Sequence, residues 1–273
     1  MNYAAYGDTN GRPVVYFHGA PGAKEECSLF DQDAKQNHLR VICLDRFDIS
    51  SSIQGKNYYK LLTKEVIAIA GDKKIDIIGF SIGAHVALEV RQLLGDKVRE
   101  VHLISAAAPL NGGDFIDHMA GGMVFKLAKN APFAFSLLTQ YQRLMALLAP
   151  KALAAMLFAS AAGQDKPLSQ EVSFKQFIIP LLALCFKSRA RGYIRDVLQY
   201  VGWQEDNLQQ CHANVTLWHG TQDNWSPFAM ASFLDQSLAG KTQLEAMQDL
   251  SHYSCLYAAA PSIFEKLGEN KHA

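Results

Sequence analysis

The sequence has no Cys-x-x-Cys spacing, no His-Glu-x-x-His run, no Gly-x-x-x-x-Gly-Lys-Ser/Thr loop, and no surplus of charge of either sign. Each absence removes a class of function. Nine histidines and five cysteines (Cys27, Cys43, Cys185, Cys211 and Cys255) without ligand spacing give no support to a bound metal, so none is expected. Twenty-six Lys and Arg against twenty-six Asp and Glu leave a formal net charge of +0. No overall field draws such a chain to nucleic acid or anionic lipid, and a small-molecule partner is the better expectation. The opening "MNYAAYGDTNGRP" lacks the basic, apolar, small-residue order of a signal peptide, which with the scattered cysteines reads as a reduced, cytoplasmic protein. The longest apolar stretch, Leu144 to Ala162, carries Pro150 and Lys151 at its middle. A charge there is costly inside hydrocarbon, so two helices broken at Pro150 are expected and no stable membrane span.

What is present is alternation. At 273 residues and 49% hydrophobic, the chain can bury one large core with a small inserted unit. "PVVYFHG", "RVICLDR", "KIDIIGFS" and "EVHLISA" read as short buried strands, joined later by "NVTLWHG". Helix-like stretches separate the early ones: "KEECSLFDQDAKQN", "YYKLLTKEVIAIAG" and "GAHVALEVRQLLG", the last stopped by Gly95. Alternation of this kind predicts an α/β fold with a mostly parallel sheet and helices on both faces.

From Pro109 to about His212 the alternation stops and helical patterns take over, which predicts a core over 1–108, a helical insertion over 109–212 and a return to the core over 213–273. The apolar excess of the insertion could pack on the core, line a pocket, form a homodimer face or rest on a membrane surface. The basic group Lys187, Arg189, Arg191 and Arg195 reads as a solvated helix face.

Within this frame "IDIIGFSIGAHVALEV" is a strand, a Gly-x-Ser-x-Gly turn and a helix in succession, the context of a nucleophile elbow. Side chains at Gly79 or Gly83 would clash in so sharp a turn, and Ser81 would project above the sheet. The N–H of Ile82, in the first turn of the helix, would face an oxygen bearing developing charge. The bland alternative is a serine in a glycine-rich turn. A serine nucleophile needs a base and an orienting acid. "TLWHGTQDNWSPF" places Asp223 in the loop after the late strand, and "LEAMQDLSHYSCLY" places His252 before the terminal helix. Asp223 could instead be an ordinary capping acid, with Asp249 and Asp45 as rivals for its role; His219 and His85 rival His252 but are more often packed histidines. Trp218 and Trp225 are core residues or pocket wall.

The order Ser81, Asp223, His252, with "YFHGAPG" after the first clear strand, "DR" after the second, "GFSIGA", "HGTQD" and a final "SH", resembles the α/β-hydrolase superfamily over nearly the whole core. The motif style is nearest to esterases and proline iminopeptidase-like hydrolases. The resemblance implies an α/β-hydrolase fold with an inserted α-helical cap and no cofactor. It assigns Ser81 as nucleophile, His252 as base and then acid, Asp223 as its orienting carboxylate, and the N–H of Ala20 as the second oxyanion donor. Gly19 and His18 would then support the Ala20 loop. The implied activity is cleavage of a small, hydrophobic carboxylic ester or thioester. An aminopeptidase using insertion carboxylates such as Glu171 and Glu205, and a hydrolase-like binding protein without turnover, are the alternatives. Two departures stand out: "DRFDISSS" puts Phe47 and Asp48 where many relatives have turn residues, and residues 1–8 leave room for about one strand.

Overall fold

The computed structural model describes residues 1–186, 190–210 and 214–269. The elements run β1 (Tyr3–Gly7), β2 (Arg12–Phe17), α1 (Asp31–Gln36), β3 (Leu39–Leu44), α2 (Gly55–Ala70), β4 (Ile75–Phe80), α3 (Gly83–Leu94) and β5 (Val98–Ile104). Among the described residues six helices follow without a strand: α4 (Gly122–Asn130), α5 (Pro132–Leu148), α6 (Pro150–Leu157), α7 (Asp165–Leu168), α8 (Val172–Phe186) and α9 (Ala190–Val201). The chain then returns as β6 (Val215–Gly220), α10 (Phe228–Ser237), β7 (Thr242–Met247) and α11 (His252–Glu269).

The seven strands form one sheet in the order β1-β3-β2-β4-β5-β6-β7, parallel except for β1, which pairs antiparallel with β3. All six residues of β4 are buried, as a central parallel strand covered on both faces requires. One strand fits within residues 1–8, as the length allows. The sequence order reverses beside β2, since β3 lies on one side of it and β4 on the other. Loops leaving the carboxyl ends of β2 and β4 therefore open a crevice between them, where ligands of open α/β sheets bind. The register sets Phe17 beside Gly79, so the segment His18–Ala20 and Ser81 emerge next to each other.

The long apolar stretch divides at Pro150 into α5 and α6, and no helix among the described residues is long and apolar enough to cross a membrane. Helix α5 packs inward through Phe135, Thr139, Gln142 and Ala146 and leaves Phe133, Leu137, Tyr141, Leu144 and Leu148 exposed. The basic group divides differently from the expectation. Lys187 and Arg189 lie outside the described residues and Arg191 is exposed, but Arg195 is only 2% exposed. Its guanidinium holds Asp196 Oδ1 at 2.7 Å, donates to the carbonyls of Ile49 and Arg46, and covers the Tyr58 ring. It is a buried tie between α9 and the loop after β3, because its partners come from distant parts of the chain.

Candidate active site

Ser81 occupies the turn from β4 to α3 with φ at 55°, a left-handed conformation uncommon for a residue with a side chain. The turn is fixed by its backbone: Ser81 N–H donates to Ile104 O at 3.0 Å, and Ser81 O accepts from Ala84 and Ala107. Both neighbouring glycines are sterically required. A Cβ at Gly79 would sit 2.8 Å from Ala84 Cα and from Ala87 Cβ, and one at Gly83 would overlap the carbonyl oxygens of Phe17 and His18.

The loop after β2 runs beside this turn and is held from behind. His18 is buried, and burial with the nearby Arg46 charge lowers its pKa well below the ordinary range. The neutral ring donates from Nδ1 to Gly19 O at 2.7 Å and packs edge-on against Phe47 at 4.8 Å. Glu26, fully buried, accepts the Tyr16 hydroxyl at 2.5 Å and the Gly19 N–H at 3.2 Å through one oxygen. Burial raises its pKa to about 7 against the opposing pull of those hydrogen bonds. Neither the Ala20 N–H nor the Ile82 N–H donates to another group among the described residues. Both residues line, with Ser81, a cavity of about 70 Å³ whose walls include Gln142, Leu157, Phe186, Tyr193 and Trp225.

Asp223 and His252 meet above the same crevice. His252 Nδ1 lies 2.8 Å from Asp223 Oδ2, while Asp223 Oδ1 accepts the N–H groups of Trp225 at 2.8 Å and Ser226 at 2.9 Å. One oxygen of Asp223 thus faces His252 while the other caps the turn. Burial pushes the Asp223 carboxyl up, but His252, His219 and the Ser226 N–H outweigh it and leave the pKa below the ordinary carboxylate range. The imidazole is stacked on the Trp225 ring at 5.6 Å and touches the Phe80 ring at 4.8 Å. It makes no hydrogen bond to Ser81 in this structure. Looser contacts than the reacting complex requires are common in enzymes without substrate.

The rivals are engaged by other groups. Asp249 is exposed and accepts from Gln222, and Asp45 pairs with Lys24 at 3.1 Å. His85 stacks on Trp203 at 4.4 Å and meets the Tyr59 hydroxyl, and burial lowers its pKa to about 3. His219 donates from Nε2 to Ser226 O at 2.7 Å, and its own Nε2 is 3.6 Å from Asp223. Trp218 donates to His102, away from the cavity, whereas Trp225 forms its wall.

Three supports were not visible in the sequence. Glu26 lay hidden in a stretch read as plain helix. Asp165, from α7, is buried and accepts the N–H of Tyr253 at 3.0 Å and of Ser254 at 2.7 Å, together with the Ser254 hydroxyl. It thereby closes the N-terminal end of α11, where His252 stands. Arg46 and Asp196 form a buried ion pair at 2.7 Å, and Arg46 also reaches Gly19 O at 3.4 Å, joining α9 to the loop beside Ser81. Phe47, the departure in "DRFDISSS", fills the space between His18 and Tyr193. A Cβ at Gly192 would overlap Phe47 O, so glycine there lets α9 approach.

A larger groove of about 970 Å³ lies between α6 and α8, floored by Ala154, Phe158, Phe174 and Ile178. None of Ser81, Asp223 and His252 lines it.

Residues 12–259 match the family model described as alpha/beta hydrolase fold. The chain belongs to that family. No curated protein matches it. Among solved structures it is similar to an esterase from Exiguobacterium antarcticum, with 18% identity, TM-score 0.66 and coverage of 98% of this chain and 92% of that one. A bromoperoxidase from Bacillus anthracis gives 17%, 0.65, 97% and 92%. Est816, described as an N-acyl homoserine lactone degrading enzyme, gives 18%, 0.59, 99% and 96%. At these identities the likeness speaks for the fold of this α/β-hydrolase.

Proposed function

We propose that this α/β-hydrolase is a serine hydrolase that cleaves small carboxylic esters or thioesters through an acyl-enzyme. The observation that carries the reading is the buried pair of His252 Nδ1 and Asp223 Oδ2 at 2.8 Å, beside a cavity lined by Ser81 and two residues with unused N–H groups. Asp223 fixes the tautomer in which Nδ1 carries hydrogen and Nε2 is free to take the Ser81 proton. The Ser81 oxygen then bonds to the carbonyl carbon, and the oxyanion is held by the N–H groups of Ala20 and Ile82. Collapse expels the alcohol or thiol, which takes the proton from His252. Water, deprotonated by the same imidazole, then breaks the acyl bond to Ser81 and returns the proton to its oxygen. The esterase and the lactone-degrading enzyme among the similar structures favour ester chemistry.

The cavity of about 70 Å³ is far below the roughly 300 Å³ at which pockets for drug-sized ligands begin. That supports a short acyl group. The aminopeptidase alternative loses its candidate carboxylates, since Glu171 and Glu205 are exposed and neither lines the cavity. A fluorophosphonate probe tests the proposal against a binding protein without turnover. Labelling of the native protein, lost in Ser81→Ala, is expected; an unlabelled Ser81 with no ester turnover overturns it. Cleavage of proline-naphthylamide without preference for p-nitrophenyl esters would move the assignment to the peptidase.

A further inference from the structure

A cavity meant only for a hydrocarbon acyl group needs only apolar walls, and Ala107, Met119, Val124, Leu157 and Phe186 supply them here. Ser81, Tyr193 and Ser226 add hydroxyl groups to the lining, and two further residues carry buried polar atoms without a partner. Gln142 projects from the inner face of α5 and is 6% exposed, and its buried Oε1 has no hydrogen-bond partner among the described residues. One turn earlier on the same face, Thr139 is satisfied by Phe135 O at 3.0 Å, so the helix does not forbid pairing. Trp225, stacked on His252, has a buried indole Nε1 that is also without a partner. A buried polar group left unpaired is unfavourable. Gln142 and Trp225 both line the cavity that Ser81 lines, and their unpaired acceptor and donor are complementary to a ligand group that both donates and accepts.

We propose that the natural acyl group carries a hydroxyl close to the scissile carbonyl, donating to Gln142 Oε1 and accepting from the Trp225 indole N–H. This rests on the serine-hydrolase reading and narrows its substrate to short hydroxy-substituted acyl esters. Gln142 and Trp225 are then the specificity-determining residues. Binding a hydroxyl satisfies both groups; binding a methylene in its place leaves both unpaired, and sites of this kind reject the analogue that lacks the polar group far more strongly than apolar pockets reject an added methylene. The place of Trp225 against the imidazole puts the recognised group beside the reacting carbon.

The test compares methyl butyrate with methyl 2-hydroxybutyrate and methyl 3-hydroxybutyrate by pH-stat. The native protein is expected to favour at least one hydroxy ester in kcat/KM by about tenfold or more. Gln142→Met, close in size and without the amide, and separately Trp225→Phe, are expected to bring that ratio toward one, with circular dichroism and Tm reporting the fold of each. A native preference for methyl butyrate, or a ratio that survives in Gln142→Met, overturns the proposal. If the native protein cleaves none of the three and the fluorophosphonate leaves Ser81 unlabelled, the hydrolase reading fails by itself. Calorimetric binding of butyrate against the two hydroxybutyrates to Ser81→Ala then still decides this inference, and equal binding sinks it.

Discussion

Asp165 Oδ1 accepts the N–H of Ser254 at 2.7 Å, so a residue of the helical insertion closes the first turn of the helix that begins at His252. The carboxylate meets the unpaired N–H groups and the positive end of the helix dipole at once. Asp165→Ala is expected to cost about 2–4 kcal/mol and to slow both ester turnover and fluorophosphonate labelling of Ser81. Asp165→Asn, which keeps an acceptor, is expected to recover part of both. A loss of stability with the labelling rate unchanged would reduce Asp165 to a structural cap.

Asp223→Asn separates the two duties of that side chain. The amide oxygen can still receive the Trp225 and Ser226 N–H groups, so Tm should change little beyond the loss of the ionic partner to His252. The imidazole tautomer is no longer fixed, and kcat is expected to fall by about 10⁴-fold. Steady-state kinetics beside thermal unfolding reads the split directly.

The buried pair of Arg46 and Asp196 predicts a large effect far from the reacting atoms. Removing one partner leaves an uncompensated charge, so Asp196→Ala should destabilise the protein by about 3–5 kcal/mol. Because Arg46 also reaches Gly19 O, a milder change at Tyr58, whose hydroxyl donates to Asp196 at 3.1 Å, is expected to disturb the site less than the fold. Urea unfolding of Asp196→Ala and Tyr58→Phe gives the two magnitudes.

Glu26 makes stability depend on pH. Its pKa is raised to about 7 from an ordinary value of 4.5, so the folded protein holds a proton there that the unfolded chain releases earlier. The stabilisation from that proton is complete below about pH 4.5 and is lost as pH rises through about 7; at roughly 1.4 kcal/mol per pH unit the whole effect is about 3 kcal/mol. Glu26→Gln should remove this slope between pH 4.5 and 7. Urea midpoints across that range check it, and an unchanged slope would assign the dependence to another group.

Much of this was legible in the chain. The turn at Ser81 could be read because its Gly-x-Ser-x-Gly pattern is local and Gly79 faces Ala84 and Ala87 close by, although the atoms that confine Gly83 come from Phe17 and His18. Asp223 and His252 could be read from their positions at strand ends. Arg195 could not, because a run of basic residues looks solvated until Ile49 O and Arg46 O, supplied from nearly 150 positions away, enclose it. Glu26, Asp165 and Gln142 share that difficulty. Each is a polar residue on an otherwise ordinary helix or turn, and its meaning depends on which distant wall it faces.

Ser81 holds a left-handed backbone that glycine would adopt without penalty. For a residue with a side chain that geometry costs roughly 1–2 kcal/mol, while the extra freedom glycine gives the unfolded chain takes back about 0.4–1 kcal/mol. Selection for heat resistance alone would therefore tolerate or favour glycine at position 81, and improve a library by discarding the hydroxyl on which the proposed chemistry depends.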